Sequence, residues 1–64
     1  MTHPKLVRIR EILYEITKDN REELKNEAEK LLRELKEEED GKTVLDAEMY
    51  MEGIFMKTLS FENT

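Results

Sequence analysis

The sequence contains no cysteine and a single histidine, His3, close to its amino terminus. Without cysteine, a disulfide framework and a thiolate metal site are excluded. One histidine cannot complete a zinc site within one chain, and no Ser–His–Asp or Cys–His set can be assembled. Gly41 and Gly53 are the only glycines, so a glycine-rich phosphate loop is absent as well. We therefore predict that the protein is not an enzyme and has no metal or cofactor, and that His3 is an exposed or capping residue.

Long apolar runs are also absent. Charged side chains make up 42% of the 64 residues, and no segment approaches the length of a membrane span. The first ten residues lack the apolar centre of a signal peptide. These features predict a single small cytoplasmic domain, residues 1–64, that does not associate with membranes. The net charge of −5 argues against nucleic acid as a partner, because that binding depends on Lys and Arg facing phosphates.

The first segment is predicted to be an amphipathic helix from Pro4 to Thr17. Proline is favoured at the first helical position, where a missing N–H has no consequence. Apolar residues then recur every three or four positions, and two more broaden the stripe. They are Leu6, Ile9, Leu13 and Ile16, with Val7 and Ile12 beside them.

A second amphipathic helix is predicted to run to about Glu38. Asp19 or Asn20, each with a glutamate three residues later, has the pattern of an amino-terminal cap, and Gly41 is suited to end the helix. The apolar line of this helix is Leu24, Ala28, Leu31, Leu32 and Leu35. The short break after the first helix favours an antiparallel hairpin, and a kinked continuous helix is the alternative.

The third segment, Thr43 to Phe61, carries apolar side chains on two faces of a helical wheel. The broad face comprises Val44, Ala47, Tyr50, Met51, Ile54, Phe55 and Thr58. The second face comprises Leu45, Met49, Met56 and Leu59. Met, Ala and Glu favour a helix, capped by Thr43 and Asp46 and ending in a frayed stretch from Glu62 onward.

A β-hairpin over residues 44–61 is the alternative for this segment, because alternate positions are apolar and Glu52-Gly53 can form a turn. If the segment is helical, Gly53 marks close packing or a bend. The sequence therefore predicts an all-α fold, with an antiparallel helical hairpin followed by a third, carboxy-terminal helix. Because a chain this small has little core of its own, a dimeric bundle is expected.

The second apolar face leads to the functional prediction. We expect a small acidic protein-interaction module or regulator that binds a partner protein through its carboxy-terminal segment and self-associates as a homodimer. The predicted partner-binding residues are Leu45, Met49, Tyr50, Phe55, Met56 and Leu59. Phe55 is further expected to be buried, so that its truncation weakens both folding and association.

The acidic side chains support an alternative function. In size, acidity and helix content the chain is similar to antitoxins, anti-sigma-like regulators and phage-encoded inhibitors. Its carboxylates could imitate a line of phosphates at a basic site of another protein. Those carboxylates belong to Asp19, Glu22, Glu23, Glu27, Glu34 and the run from Glu37 to Asp40. A third hypothesis, direct DNA binding, depends on the modest basic patch of Lys5, Arg8 and Arg10.

Overall fold

The computed structural model describes residues 3–38 and 41–62, which form three α-helices. Helix α1 is Pro4–Glu15, α2 is Arg21–Glu38 and α3 is Gly41–Glu62. None of the residues in these two ranges lies in a strand, so the all-α prediction is confirmed and the β-hairpin alternative for residues 44–61 is wrong. The helix preference of Met, Ala and Glu outweighs the alternation of apolar positions in that segment.

The amino end of α1 forms as the sequence predicts. Pro4 occupies the first turn, and His3 precedes it in an extended conformation. The backbone N–H of Lys5 donates to His3 Nδ1 at 3.1 Å, which satisfies one of the amino-terminal N–H groups that have no partner within the helix. His3 is therefore a capping residue.

The turn between α1 and α2 is closed by the side chain of Asn20. Helix α1 ends at Glu15, two residues before the predicted Thr17. Asn20 Oδ1 accepts a hydrogen bond from the N–H of Thr17 at 2.6 Å, and Asn20 Nδ2 donates to the carbonyl of Glu15 at 3.3 Å. Asn20 thus lies immediately before α2, where a cap was predicted, but its side chain binds the turn that precedes it.

Gly41 does not end α2, contrary to the sequence prediction. It is the first residue of α3, and no residue in the described part of the chain has a positive φ, the conformation typical of a glycine that terminates a helix. Thr43 and Asp46, predicted to cap the third helix, lie inside α3 instead. The predicted acidic end of the second helix includes residues 39 and 40, which lie outside the described ranges.

The carboxy end of α3 also differs from its prediction. Glu62 was expected in a frayed end, but it is helical, and its Oε1 lies 2.8 Å from Arg21 Nη1 at the start of α2. The other two residues of that predicted end, 63 and 64, lie outside the described ranges.

The core lies between the three helices, each of which contacts the other two. Its buried apolar residues are Leu6, Ile9, Ile12, Ile16, Leu24, Ala28, Leu35, Ala47 and Ile54. The residues from α1, α2 and the turn between them belong to the apolar lines predicted from the sequence, while Leu13, Leu31 and Leu32 pack against this core half-buried. Val7 is 39% exposed, so the prediction that it broadens the buried stripe is wrong.

Gly53 of α3 packs against Leu13 of α1. A Cβ atom at this position would lie 3.2 Å from Leu13 Cδ1, closer than an ordinary van der Waals contact. The absence of a side chain therefore gives Leu13 its room against α3. Of the two predicted roles for Gly53, close packing is the one that these distances support.

Candidate protein-interaction surface

Four exposed apolar side chains form the outer face of α3, the side that points away from the core. They are Leu45, 63% exposed, Met49, 70%, Met56, 61%, and Leu59, 41%. At 100° per residue these positions fall within about 80° of one another around the helix axis. Along the axis they span about 21 Å, because each residue of an α-helix advances 1.5 Å. The second apolar face predicted from the sequence is thus exposed to solvent.

The opposite side of α3 packs into the protein. Ala47, Ile54 and Thr58 are buried, and the Thr58 hydroxyl donates to the carbonyl of Phe55 at 2.8 Å. This intrahelical bond lets a polar residue occupy the buried face without an unsatisfied hydroxyl group. Helix α3 therefore has two apolar faces, of which the core covers only one.

Two of the predicted partner-binding residues lie outside the outer face. Tyr50 is half-buried and packs against the core. Phe55 was predicted on the buried face, but it is 51% exposed, and its ring lies beside α2 with Lys25 Nζ 5.8 Å from the ring centre. The expectation of a fully buried Phe55 is wrong, because its position on the wheel falls between the two faces. The remaining four predicted residues form the outer face.

Helix α1 adds exposed apolar side chains that were not predicted from the sequence to lie on the surface. Tyr14 is 70% exposed and Val7 is 39% exposed. The two residues are seven positions apart, which is two helical turns, so they lie on the same side of α1. That spacing was the available sequence signal, but Val7 was assigned to the buried stripe.

Acidic side chains border the outer face of α3. Glu52 is exposed and lies within the stripe, between Met49 and Met56, and no described residue forms an ion pair with it. Asp46 is exposed on the same helix. Glu48 is also exposed, and the separation between its Oε2 and Lys36 Nζ is 3.9 Å, a contact at the limit of an ion pair. The outer face therefore combines an apolar stripe with negative charge.

Three of the nearby cationic groups, on Lys57, Lys25 and Arg21, are directed to other partners. Lys57 Nζ donates to the carbonyls of Leu13 and Tyr14, at 2.9 Å and 3.3 Å. A cation at this place satisfies carbonyl groups at the end of α1 and interacts favourably with the helix dipole. Lys25 lies over the Phe55 ring and Arg21 pairs with a carboxylate at the end of α3.

Ion pairs also join α1 to α2. Arg8 donates from Nε and Nη2 to the two carboxylate oxygens of Glu27, at 2.6 Å and 3.1 Å. These hydrogen bonds lower the pKa of Glu27 below its ordinary value and raise the pKa of Arg8. Lys5 contacts Glu34 at 3.4 Å and also binds Glu38, whose pKa it lowers.

These ion pairs involve side chains on which the two alternative functions, phosphate mimicry and DNA binding, depend. The proposed line of phosphate-like carboxylates includes Glu27, Glu34 and Glu38, and each of them is paired with a cation of α1. The proposed basic patch loses Lys5 and Arg8 to the same contacts. Both alternatives therefore have less free charge available than the sequence indicated.

Residues 3–38 and 41–62 contain neither a cluster of metal-ligating side chains nor a membrane-spanning helix. No three or more His, Cys, Asp or Glu side chains of these residues are grouped so as to hold a metal ion. None of the three helices combines the length and apolar character needed to cross a bilayer.

Comparison of the chain with protein-family models, with curated proteins and with solved structures finds no match. The functional argument therefore depends on the outer face of α3 and the charges around it.

Proposed function

We propose that this protein is an interaction module that binds a partner protein through the outer face of α3. The observation that carries the proposal is the exposure of Leu45, Met49, Met56 and Leu59 on one side of a single helix. Scattered apolar residues on a protein surface need no explanation, but a contiguous apolar stripe rimmed by polar residues is typical of an interaction site. Removing such a stripe from water stabilises a complex in proportion to the area covered.

The same face is the proposed site of self-association into a homodimer. The chain has only 64 residues, and a domain of that size gains stability when a second copy covers exposed apolar surface. Tight dimers bury large apolar areas, whereas a single stripe about 21 Å long offers only a small apolar area. Self-association is therefore proposed as the weaker state, which the protein adopts when its partner protein is absent.

In this proposal α1 and α2 form the predicted antiparallel hairpin that supports α3. Support comes from Lys5, near the start of α1, which contacts Glu34 and Glu38 near the end of α2. Arg8, one turn further along α1, contacts Glu27, which lies earlier in α2. Partner binding needs no rearrangement of these contacts, because the outer face is already exposed.

Met49→Glu tests the proposal. A charge in the middle of the apolar stripe must be desolvated when the face is covered, so the variant is expected to remain monomeric while keeping its helix content. Size-exclusion chromatography with light scattering, over a range of protein concentrations, measures the first property and circular dichroism the second. Tyr14→Glu is the matched control, because Tyr14 is equally exposed at 70% but lies on α1. It is expected to self-associate like the parent.

Two results contradict the proposal. One is a parent protein that stays monomeric at high micromolar concentration and fails to bind a dye for exposed apolar surface. The other is a Met49→Glu variant with the same oligomeric state and the same bound partners as the parent.

A further inference from the structure

We propose that the partner of the outer face is an amphipathic helix with an apolar seam and basic flanks. This inference rests on the proposed function and specifies the chemistry of the partner. Three features of the described residues carry it: the spacing of the stripe, the acidic residue within it, and the contacts that hold the cations of Lys57, Lys25 and Arg21 elsewhere.

The spacing of the stripe fits a helix as the occupant. Leu45, Met49, Glu52, Met56 and Leu59 follow one another at intervals of four, three, four and three residues. This is the repeat at which one helix presents its side chains to another in coiled-coil packing. The stripe covers two such heptads, so it can accommodate about four turns of a partner helix.

The methionines allow the outer face to accept partner helices of different shape. Met49 and Met56 are the side chains on either side of the centre of the stripe. Unbranched methionine side chains adapt to partners of different shape, and they are common where one surface binds several helices.

Glu52 determines the charge that the partner must supply. It occupies the central position of the seam, it is exposed, and no described residue forms an ion pair with it. A helix that covers the stripe takes this carboxylate partly out of water, which is unfavourable unless a cation pairs with it. A Lys or Arg opposite Glu52 meets that requirement.

The acidic residues that border the outer face also favour a partner with basic side chains. Asp46 and Glu48 are exposed on α3, and the one ion-pair contact of Glu48 with a described residue is the 3.9 Å contact with Lys36. Lys57 is held by two carbonyls of α1, so its ammonium group is already hydrogen-bonded. A basic flank on the partner is complementary to this border, and it also increases the association rate with a chain of net charge −5.

A second copy of the chain satisfies these requirements poorly. In a parallel or an in-register antiparallel pairing the two Glu52 carboxylates lie opposite each other, and in an offset antiparallel pairing each one faces an apolar side chain. Both copies also carry the same net charge of −5. A basic helix avoids all three costs, so it is expected to displace the second copy and form a 1:1 complex.

Two synthetic helical peptides of three heptads test the inference. Both have leucine at the seam positions except the one opposite Glu52. At that position and at the flanking positions, one peptide has lysine and the other has glutamate. Isothermal titration calorimetry measures their affinity for the full chain, and light scattering measures the stoichiometry. The expected result is a 1:1 complex with the lysine peptide that weakens as salt is added, together with no measurable binding of the glutamate peptide.

Variants at Glu52 tie the binding to the outer face. Glu52→Gln is expected to weaken binding of the lysine peptide about fivefold, which is the effect of losing one partly exposed ion pair. Glu52→Lys is expected to reduce it further and to allow the glutamate peptide to bind. Glu29→Gln makes the same change of charge on the exposed side of α2 and is expected to leave the affinity unchanged.

The outcomes separate this inference from the proposed function. If both peptides bind equally well, or if Glu52→Gln and Glu29→Gln behave alike, the basic flank is wrong while the interaction surface stands. If neither peptide binds but the parent self-associates through Met49, the inference is overturned and the proposed function stands. If neither peptide binds, and the parent is monomeric and binds no dye for exposed apolar surface, both fail.

Discussion

Gly41 and Gly53 lie in the same helix but in different surroundings, and this difference predicts opposite effects of substitution. A Cβ at Gly53 meets Leu13 at 3.2 Å, whereas nothing lies within 4 Å of one at Gly41. Gly53→Val is therefore expected to destabilise the protein by about 1–3 kcal/mol, the usual effect of overpacking. Urea unfolding followed by circular dichroism measures the change.

Gly41→Val is the matched control, with an expected change within about 1 kcal/mol, because it adds a side chain in open space. Shortening Leu13 to alanine in the Gly53→Val background is expected to recover part of the lost stability, since the two side chains occupy the same space. A Gly53→Val protein as stable as the parent would mean that α1 and α3 are less closely packed than the structure shows.

Glu27 gives a prediction of pH dependence. The hydrogen bonds from Arg8 hold its pKa below 4.5 in the folded protein. The stabilisation is thus complete above the unfolded pKa, and it is lost as the pH falls through the lower folded pKa. Because both side chains are more than one-third exposed, Glu27→Gln is expected to cost at most about 1 kcal/mol at neutral pH.

The difference in unfolding free energy between the parent and Glu27→Gln is expected to shrink as the pH falls to about 3. Glu29→Gln provides the comparison, because no ion pair of Glu29 occurs in the described ranges. A difference that stays constant from neutral to acid pH would show that the Arg8 pair does not stabilise the fold.

At the scale of the element, α3 places a buried and an exposed residue side by side. Ile54 is 1% exposed and Phe55 is 51% exposed. Ile54→Ala is therefore expected to cost about 2–5 kcal/mol, as for other buried aliphatic truncations. Phe55→Ala is expected to cost about 1 kcal/mol, since it removes a partly exposed ring and its contact with Lys25.

Thermal unfolding of both variants, at a protein concentration low enough to prevent self-association, separates these effects. If Phe55→Ala is as destabilising as Ile54→Ala, the ring is buried in solution.

The three helices show which features a sequence can predict. Helical periodicity identified the buried lines of α1 and α2, because those residues recur at the period of the helix. It could not predict the helix ends, where single side chains compete for the same backbone groups. Asn20 binds the end of α1 instead of capping α2, and Gly41 begins a helix instead of ending one.

The surface was predictable to a similar extent. The division of α3 into two apolar faces follows from the angular positions of its residues, and the exposures confirm it for Leu45, Met49, Met56 and Leu59. Phe55 lies between the faces, so its burial depends on how α2 is arranged, which periodicity does not specify. The pairing of Arg8 with Glu27 likewise needs the tertiary structure, because the two residues are 19 positions apart.

At the scale of the whole molecule, the net charge predicts opposite salt effects on the two proposed associations. Two copies of a chain with a charge of −5 repel each other, so added salt is expected to strengthen self-association. The basic peptide is attracted by the same charge, so salt is expected to weaken its complex. Light scattering and calorimetry at low and high ionic strength measure the two trends. Trends of the same sign would contradict the role assigned to charge.

The contact between α1 and α3 also bears on the order in which the molecule folds. Lys57 and its acceptor on Leu13 are 44 positions apart in the sequence, so nearly the whole chain is needed before they can meet. Arg8 of α1 and Glu27 of α2 are only 19 positions apart, so their contact closes a shorter loop, which costs less entropy. We therefore expect the contact between α1 and α3 to form last, so that Lys57→Met speeds unfolding and leaves refolding almost unchanged in stopped-flow experiments. A slower refolding phase in that variant would place this contact before the rate-limiting step.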